Sequence, residues 1–400
     1  MVPLPPPDPD VPALLTLLSE DASAVFAAAQ KALGFAVQEL KPVQVRYIPG
    51  RSIVAQYRAR IIDRDGSEAS PMLVAASGIK LPEDTLQLQD DDGSAIALWR
   101  FPDDPHLPGL AAATSKARAS QLLERLGAAS EDVRLRVRAY RATRRAVVEA
   151  AGSTGTIYMK VLRPQRVAAL QQRHTLLSPH VPIPHSLGWS QRLGIVAMQA
   201  MPGVTLRRSL ETGQVSQPAP DALATLLDAM PQLDSRAKRV AAPQERFEDH
   251  LRLIGTVLPE ASHLLDRLGA HVPAAESAEP LTTVHGDFHS SQVLVKEGSI
   301  VGLVDVDTVG LGQRSSDYAN LLGQLATVAL LSANPAPIEE YTARLLEYFD
   351  SRVDPAVLRS RTAFIIVGLA TGPFRVQAID WRQDTERRLR LALDWANAAK

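Results

Sequence analysis

Two short apolar strands in the last third of the chain, each bordered by polar side chains, constrain the fold more than any other segment. Residues 285–292 read His-Gly-Asp-Phe-His-Ser-Ser-Gln and lead into an apolar strand, and a second apolar run, 301–304, ends at Asp305. Asp287 therefore lies five residues before Gln292 and 18 residues before Asp305. A carboxylate for an attacking hydroxyl, followed by an amide and a carboxylate for Mg²⁺ on ATP, is typical of phosphoryl-transfer sites.

The composition is that of an ordinary soluble protein and excludes several classes of function. The 400 residues are 46% hydrophobic, carry a net charge of −1 and include no cysteine, which excludes disulfides and thiolate catalysis. The near-zero charge, with no basic stretch interleaved with aromatics, argues against a nucleic-acid partner. No apolar run approaches the roughly 18 residues of a membrane span, and the proline-rich start is unlike a secretory signal. We expect a cytoplasmic protein with no membrane partner.

The spacing of apolar residues divides the chain into three parts. Residues 1–130 predict a cap of strands and helices, residues 131–203 predict a β-rich N-lobe with an extended connector, and residues 204–400 predict a mostly helical C-lobe. Two lobes with a cleft between them suit a nucleotide. The elements predicted within these parts are helices over 11–40, 115–130 and 164–178, antiparallel strands across 43–101 and 133–162, and a loop at 272–280.

Four carboxylate and amide residues carry the predicted chemistry. Asp287 is the candidate catalytic base, because an alcohol is a poor nucleophile at neutral pH and a positioned carboxylate can take its proton. Gln292 and Asp305 are the candidate magnesium ligands, since Mg²⁺ prefers hard oxygen donors and keeps several waters. Asp307 is close enough in sequence to replace Asp305 as the ligand or to support it. Asp317 opens a predicted helix, where we expect a structural role.

His285 and His289 leave a second interpretation of the same loop open. The pattern His-x-Asp-x-His can hold a transition metal, which predicts a hydrolase. That interpretation gives no role to Gln292 or Asp305, and none to Lys160. Lys160 is the only charged residue of the apolar run 157–162, and an unpaired buried lysine is costly, so we expect it to contact ATP phosphates. An edge-strand lysine facing solvent is the alternative.

Residues 285–295 and 302–322 resemble the catalytic and metal-binding motifs of the aminoglycoside phosphotransferase and choline kinase superfamily. The resemblance covers about 133–400 and includes Lys160, the connector 181–184 and the turn at Met201-Pro202-Gly203. It implies an α+β, bilobal protein-kinase-like fold, and ATP- and Mg²⁺-dependent phosphorylation of a small-molecule hydroxyl. It also implies that Gln199 and Met201, in the hinge between the lobes, contact the nucleotide.

Several features set the chain apart within that superfamily. The added cap, and Gln292 where asparagine is usual, resemble the maltokinase-like and glucosamine-kinase-like actinobacterial branch. The hairpin expected to cover the phosphates, 140–145, has no glycine, although an arginine such as Arg144 can reach a phosphate. The helix after Lys160 should supply an acidic partner for the lysine, but residues 163–180 contain no acid. A catalytically weak or dead nucleotide-binding protein is therefore a second hypothesis.

The acceptor is less well determined by the sequence. Carboxylates on C-lobe helices suit an amino sugar or aminoglycoside, and a tryptophan can stack on a sugar ring. Neighbouring arginines offset this charge, so a sugar with little positive charge fits somewhat better. A choline or amino-acid-hydroxyl kinase is a further alternative. The candidate acceptor-binding residues are Glu248, Asp249, Asp380, Trp381 and Asp384.

Overall fold

A computed structural model describes residues 2–78, 81, 83, 85–89, 95–128, 132–271 and 277–399. The predicted boundary between cap and N-lobe at 130/131 lies outside these residues, as does most of the predicted loop 272–280. The architecture is the predicted mixture of antiparallel sheets in the N-terminal half and helices in the C-terminal half. Within the described residues, no helix combines the length and apolar character needed to cross a membrane.

The cap is built on an antiparallel sheet with strand order β1-β2-β4-β6-β5, with β3 paired to β2. The strands are antiparallel as predicted, but β6 lies between β4 and β5, so the order is not that of a simple meander. The prediction of helix across 11–40 is wrong beyond residue 33, because Gly34 takes a φ of +80° and turns the chain into a strand. The cap contains α1 (Ala13–Leu18), α2 (Ala22–Ala28), α3 (Gln30–Leu33), β1 (Phe35–Ile48), β2 (Ser52–Asp63), β3 (Glu68–Ala69), β4 (Met72–Gly78), β5 (Leu86–Gln89), β6 (Ala95–Arg100), α4 (Leu110–Thr114) and α5 (Lys116–Arg125).

The N-lobe is a second antiparallel sheet with one helix packed against it. Its strand order is β10-β11-β9-β8-β7, so Lys160 lies on the central strand rather than at an edge. The helix begins at Pro164, whose fixed φ suits the first helical position. The elements are β7 (Arg134–Arg141), β8 (Arg145–Gly152), β9 (Gly155–Leu162), α6 (Pro164–Leu177), β10 (Ser186–Ser190) and β11 (Ile195–Gln199).

The C-lobe is mostly helical, as predicted, and the five short strands among its described residues frame the motif residues. Strands β12, β14 and β15 form one small sheet, and β13 pairs with β16 in another. The elements are β12 (Val204–Thr205), α7 (Leu206–Thr212), α8 (Pro220–Asp228), α9 (Phe247–Val257), α10 (Ser262–Gly269), β13 (Thr282–Val284), β14 (Val293–Lys296), β15 (Ser299–Leu303), β16 (Gly310–Gly312), α11 (Arg314–Leu331), α12 (Ala336–Asp350), α13 (Pro355–Ala370), α14 (Gly372–Arg375) and α15 (Trp381–Asn397).

The cap sheet is buried on both faces and joins the two lobes. On β2, Ile53, Ala55 and Tyr57 belong to a core shared with C-lobe helices α9, α10, α13 and α15. Val54, which points to the opposite face of the same strand, belongs to a core shared with the N-lobe sheet. This alternation is the period-2 pattern of a strand with two apolar faces. The cap therefore packs against both lobes.

Candidate active site

The motif loop, residues 285–292, is held by a buried carboxylate from helix α11. Asp317 accepts hydrogen bonds from the backbone N–H of His285 at 2.7 Å and of Gly286 at 2.8 Å. Burial raises the pKa of Asp317 above its usual value, against the lowering effects of His285, Arg314 and the two N–H donors. Gly286 has a φ of +78°, and a Cβ there would lie 2.9 Å from the backbone oxygen of Thr308, so only glycine fits.

Asp287 lies at the open side of this loop. Its side chain is 44% exposed, and the nearest ionisable partner is His289, whose Nε2 lies 3.9 Å from Asp287 Oδ2. The His285 ring is turned inward, with Nε2 placed 3.1 Å from the backbone oxygen of Val304, and it does not face solvent. Asp287 is thus positioned by its backbone while its carboxylate remains accessible to a second reactant.

Lys160 and two carboxylates form the charged centre of the cleft. The Lys160 ammonium donates to Asp305 Oδ1 and, at 2.5 Å, to Asp307 Oδ1. Arg145 Nη1 lies 3.4 Å from Asp305 Oδ2 and 3.8 Å from Asp307 Oδ2. Burial raises the pKa of Asp305, but the charges of Lys160 and Arg145 lower it by more than burial raises it. The pKa of Asp305 therefore lies well below its ordinary value. Lys160 therefore has two acidic partners from the C-lobe in place of one from helix α6.

Gln292 lies beside this centre and is oriented by its neighbours. Its Nε2 lies 3.4 Å from Asp305 Oδ2 and 3.2 Å from His289 Nε2. His289 Nδ1 accepts the backbone N–H of Ser291 at 3.2 Å. Burial lowers the pKa of His289, although Asp287 and Asp305 act in the opposite direction, so the neutral ring is favoured, with its proton on the Nε2 that faces Gln292. The transition-metal interpretation receives no support, because the described residues contain no group of three or more His, Asp or Glu able to hold a metal.

The charged centre forms one end of a cleft of about 470 Å³ between the lobes. Gln199 and Met201, the predicted hinge contacts, line the cleft with Met198 and Gly203, as do Lys160, Gln292 and Asp305. Arg144 does not line it. Its neighbour Arg145 does, because residue 145 shares the sheet face of Val147 and Lys160, whereas residue 144 lies in the turn. Strand parity with Lys160 is the sequence signal that distinguishes the two arginines.

The donor set of this centre fits a magnesium ion. Asp305 and Asp307 contribute carboxylate oxygens to the lining of the cleft, and the Gln292 amide, whose oxygen and nitrogen exchange places when the group flips, lies beside Asp305. Asp305 has a φ of +60°, rare for a residue other than glycine, which directs its carboxylate back toward Gln292. The magnesium assignment of Gln292 and Asp305 therefore stays a prediction for which the residue types and their placement are suitable.

The predicted acceptor-binding residues are not brought together. Trp381 is fully buried among cap and C-lobe side chains, and its Nε1 donates to the backbone oxygen of Pro3, so the prediction that it stacks on a sugar is wrong. Asp249 is 79% exposed and Glu248 is also exposed on α9, whereas Asp384 lies 3.5 Å from Arg387 on α15. Asp380 precedes α15 and is exposed.

Comparisons with known proteins agree with the fold described above. The family model described as "Phosphotransferase enzyme family" matches residues 73–359. A thermostable variant of aminoglycoside phosphotransferase APH(4)-Ia, solved with AMP-PNP and hygromycin B, aligns over 70% of this chain and 99% of its own, with 17% identity and a TM-score of 0.50.

Two further solved structures align over similar lengths. Macrolide 2'-phosphotransferase MphH from Brachybacterium faecium covers 68% of this chain and 97% of its own, with 18% identity and a TM-score of 0.45. The gentamicin complex of APH(2")-IIa covers 69% and 96%, with 12% identity and a TM-score of 0.48. No curated protein sequence matches the chain. The chain belongs to the phosphotransferase enzyme family, whose members are ATP-dependent enzymes that phosphorylate hydroxyl groups.

Proposed function

We propose that this protein transfers the γ-phosphoryl group of ATP, with Mg²⁺, to a hydroxyl of a small sugar-like molecule. The observation that carries the proposal is the placement of an accessible carboxylate, Asp287, beside a cleft that ends at Lys160, Asp305 and Gln292. Positioning and charge stabilisation supply most of the catalysis in phosphoryl transfer, and these residues provide both. The expected compartment is the cytoplasm, where ATP is abundant.

Asp287 is the proposed base of the reaction. The acceptor oxygen forms a bond to the γ-phosphorus, the bond from that phosphorus to the bridging oxygen breaks, and ADP leaves with the bond's electrons. The hydroxyl proton passes to the Asp287 carboxylate, which is held for this purpose by the Asp317-anchored loop.

The nucleotide is proposed to occupy the cleft, with its base between the hinge residues Gln199 and Met201 and its phosphates toward Lys160 and Arg145. Lys160 is 7% exposed at its side chain and already desolvated, so its charge acts strongly on a neighbouring phosphate. Gln292, Asp305 and Asp307 are the proposed holders of Mg²⁺, which neutralises phosphate charge when it is bound.

A second candidate is nucleotide binding without turnover. Two observations favour it: the hairpin over the phosphate end of the cleft has no glycine, and Lys160 is engaged by both Asp305 and Asp307. A lysine held this way has two of its three N–H donors engaged by carboxylates and only one left for a phosphate. The two candidates make opposite predictions about ADP release.

The test is ADP release from ATP and Mg²⁺ with glucose, maltose, glucosamine, aminoglycosides and choline as acceptors. We expect turnover with a sugar acceptor, and a loss of at least about 10²–10⁴-fold in kcat for Asp287→Asn. Asp221→Asn, at an exposed carboxylate in the first turn of α8, is the matched control and should retain activity. Binding of AMP-PNP with Mg²⁺ but no ADP release with any acceptor would favour the second candidate.

A further inference from the structure

Four arginines from three parts of the chain line one small cavity beside the active site. Arg46 comes from cap strand β1, Arg141 and Arg144 come from the hairpin between β7 and β8, and Arg375 comes from helix α14 of the C-lobe. Gln44 and Gln56 of the cap complete the polar lining. We call these four residues the arginine cluster. The cluster lies where the cap, N-lobe and C-lobe meet.

Members of the arginine cluster lack carboxylate partners in the described part of the chain. None of the four lies within 4.0 Å of an acidic oxygen there, whereas neighbouring Arg145 lies near two. Arg46 Nη2 donates to Thr143 Oγ1 at 3.1 Å, and Arg46 Nε is buried without a hydrogen-bond partner. Unpaired guanidinium groups brought together repel one another, so the arrangement is suited to a bound anion.

The arginine cluster adjoins the proposed catalytic base. Arg141 is directly opposite Arg145 in the β7–β8 register, so both point to the sheet face that carries Lys160. Burial lowers the pKa of Arg141, and Arg145 and Arg375 lower it further, while the charges of Asp287 and Asp305 raise it. Arg141 is thus within electrostatic range of Asp287 and of Arg375 on the opposite lobe.

The ATP cleft is a less suitable explanation for the cluster. Arg145 and Lys160 line the cleft, but none of the four clustered arginines does. The carboxylates predicted to bind a cationic acceptor are exposed or, like Asp384, lie near an arginine. Positive charge near Asp287 therefore comes from unpaired side chains. Among the described residues that line the ATP cleft and the cavity of the arginine cluster, Asp305 and Asp307 are the only acidic ones.

We propose that the acceptor carries an anionic group, a phosphate or a carboxylate, which the arginine cluster binds while the acceptor hydroxyl faces Asp287. This proposal rests on the proposed phosphotransfer function and narrows its acceptor to an acidic sugar or a sugar phosphate. Guanidinium groups bind both phosphate and carboxylate through paired hydrogen bonds. The acceptors tested below distinguish a phosphorylated sugar from an acidic sugar. An aminoglycoside, with several positive charges, is disfavoured by the same cluster.

The first experiment measures anion binding without requiring the true acceptor. Inorganic phosphate is titrated by calorimetry into protein saturated with AMP-PNP and Mg²⁺, so that the nucleotide site is occupied. We expect saturable binding of one phosphate, weakened at least about 10-fold in Arg375→Gln and in Arg141→Gln, as for loss of a hydrogen bond to a charged group. Both side chains are partly or fully exposed, so these variants should fold normally.

Arg51→Gln is the matched control. Arg51 lines a different basic cavity of about 500 Å³ between the cap and the N-lobe, together with Arg163 and His106, and Arg46 borders both cavities. Phosphate affinity should be unchanged in Arg51→Gln. Absence of saturable binding, or weakening by Arg51→Gln with no effect of Arg375→Gln, would overturn the proposal.

The second experiment compares acceptors that share a glucose-type ring but carry different charges: glucose, glucosamine, glucuronate and glucose 6-phosphate. We expect kcat/KM to be at least 10-fold higher for an anionic member, and Arg375→Gln to remove most of that preference without changing the KM for ATP. Glucuronate against glucose 6-phosphate separates carboxylate from phosphate. Preference for glucosamine would contradict an anionic acceptor. No turnover with any sugar would contradict the proposed function. The calorimetric titration would then still show whether the arginine cluster binds an anion.

Discussion

The motif loop and the hairpin tip, residues 141–145, belong to opposite lobes, and each is held by a buried aspartate. Asp317 accepts two backbone N–H groups of the motif loop, and Asp104 of the cap accepts the N–H of Thr143 at 2.7 Å and the hydroxyl of Tyr140 at 2.8 Å. Both carboxylates are buried. In each case a buried aspartate fixes the backbone of a loop that carries charged side chains.

The two sides of the site differ in how their charges are satisfied. Asp305 and Asp307, across from the motif loop, are neutralised by Lys160 and Arg145, so this side of the site is balanced before any ligand binds. On the hairpin tip, Arg141 and Arg144 have no acidic partner in the described residues. A balanced centre is typical of fixed catalytic machinery, and unpaired charge is typical of a surface that awaits a ligand.

The largest effect should follow removal of the carboxylate that anchors the motif loop. Asp317→Ala leaves the buried N–H groups of His285 and Gly286 without acceptors, which costs about 2–4 kcal/mol of unfolding free energy. Because the loop then loses its position, kcat should fall by about 10²-fold. Urea unfolding and ADP release measure the two effects.

Asp354→Ala is the control for that prediction. Asp354 also accepts two backbone N–H groups, those of Ala356 and Val357, but it caps helix α13 and is remote from the cleft-lining residues. Its loss should cost about 1 kcal/mol of stability and leave kcat unchanged. Equal loss of kcat in both variants would show that general instability, and not loop position, controls activity.

A somewhat smaller effect is expected at the hairpin tip. Asp104→Ala removes the acceptor of Thr143 N–H and Tyr140 O–H, at a cost of about 2 kcal/mol. Thr143 has a φ of +63°, unusual for a β-branched residue, and its conformation depends on this anchor. We expect the KM for ATP to rise while kcat falls less than in Asp317→Ala. A pure loss of kcat with unchanged KM would remove the distinction between the two loops.

The sequence predicted the motif loop well because its chemistry is local. Gln292 and Asp305 border the two paired strands β14 and β15, and their side chains lie 3.4 Å apart, while their roles and that of Asp287 stay predictions. The hairpin tip was not predictable in this way. Its anchor, Asp104, lies in the cap, 39 residues before Thr143 in the sequence. The hydrogen bond between them depends on how the cap packs against the N-lobe.

Long-range packing also explains the errors at Trp381 and Lys160. Trp381 was predicted to face a ligand because it lies among charged residues, but the segment containing Pro3 packs over it and buries the indole. For Lys160 the missing acid on α6 suggested an unpaired charge, whereas Asp305 and Asp307, about 145 residues later, supply the partners. Neither contact leaves a local pattern in the sequence.

The third prediction sharpens the contrast between adjacent arginines of the hairpin tip. Arg145→Gln removes a cation that lies near both Asp305 and Asp307 in the ATP cleft, so the KM for ATP should rise about 5–10-fold, corresponding to about 1 kcal/mol. Arg144→Gln should change it less than about 2-fold, since Arg144 lies outside the cleft. Steady-state kinetics at saturating acceptor measures both. The opposite ranking would place the phosphates on the outer side of the hairpin tip.

The smallest effect concerns the pH dependence of stability at the balanced centre. Burial raises the pKa of Asp305, but Lys160 and Arg145 lower it to well below 3.8, so the ionised form is favoured in the folded protein. A carboxyl whose folded-state pKa is depressed contributes stability that is complete above its unfolded pKa and is lost as the pH falls toward its folded pKa. The difference in unfolding free energy between wild type and Asp305→Asn, on the order of 1 kcal/mol, should therefore be constant from pH 8 to about 5 and shrink below about pH 4.

Urea unfolding of both proteins at each pH measures this difference, and the contributions of other titrating groups cancel in it. A difference that instead grows on acidification would mean that Asp305 is protonated in the folded state and that this side of the site, like the hairpin tip, is incompletely neutralised.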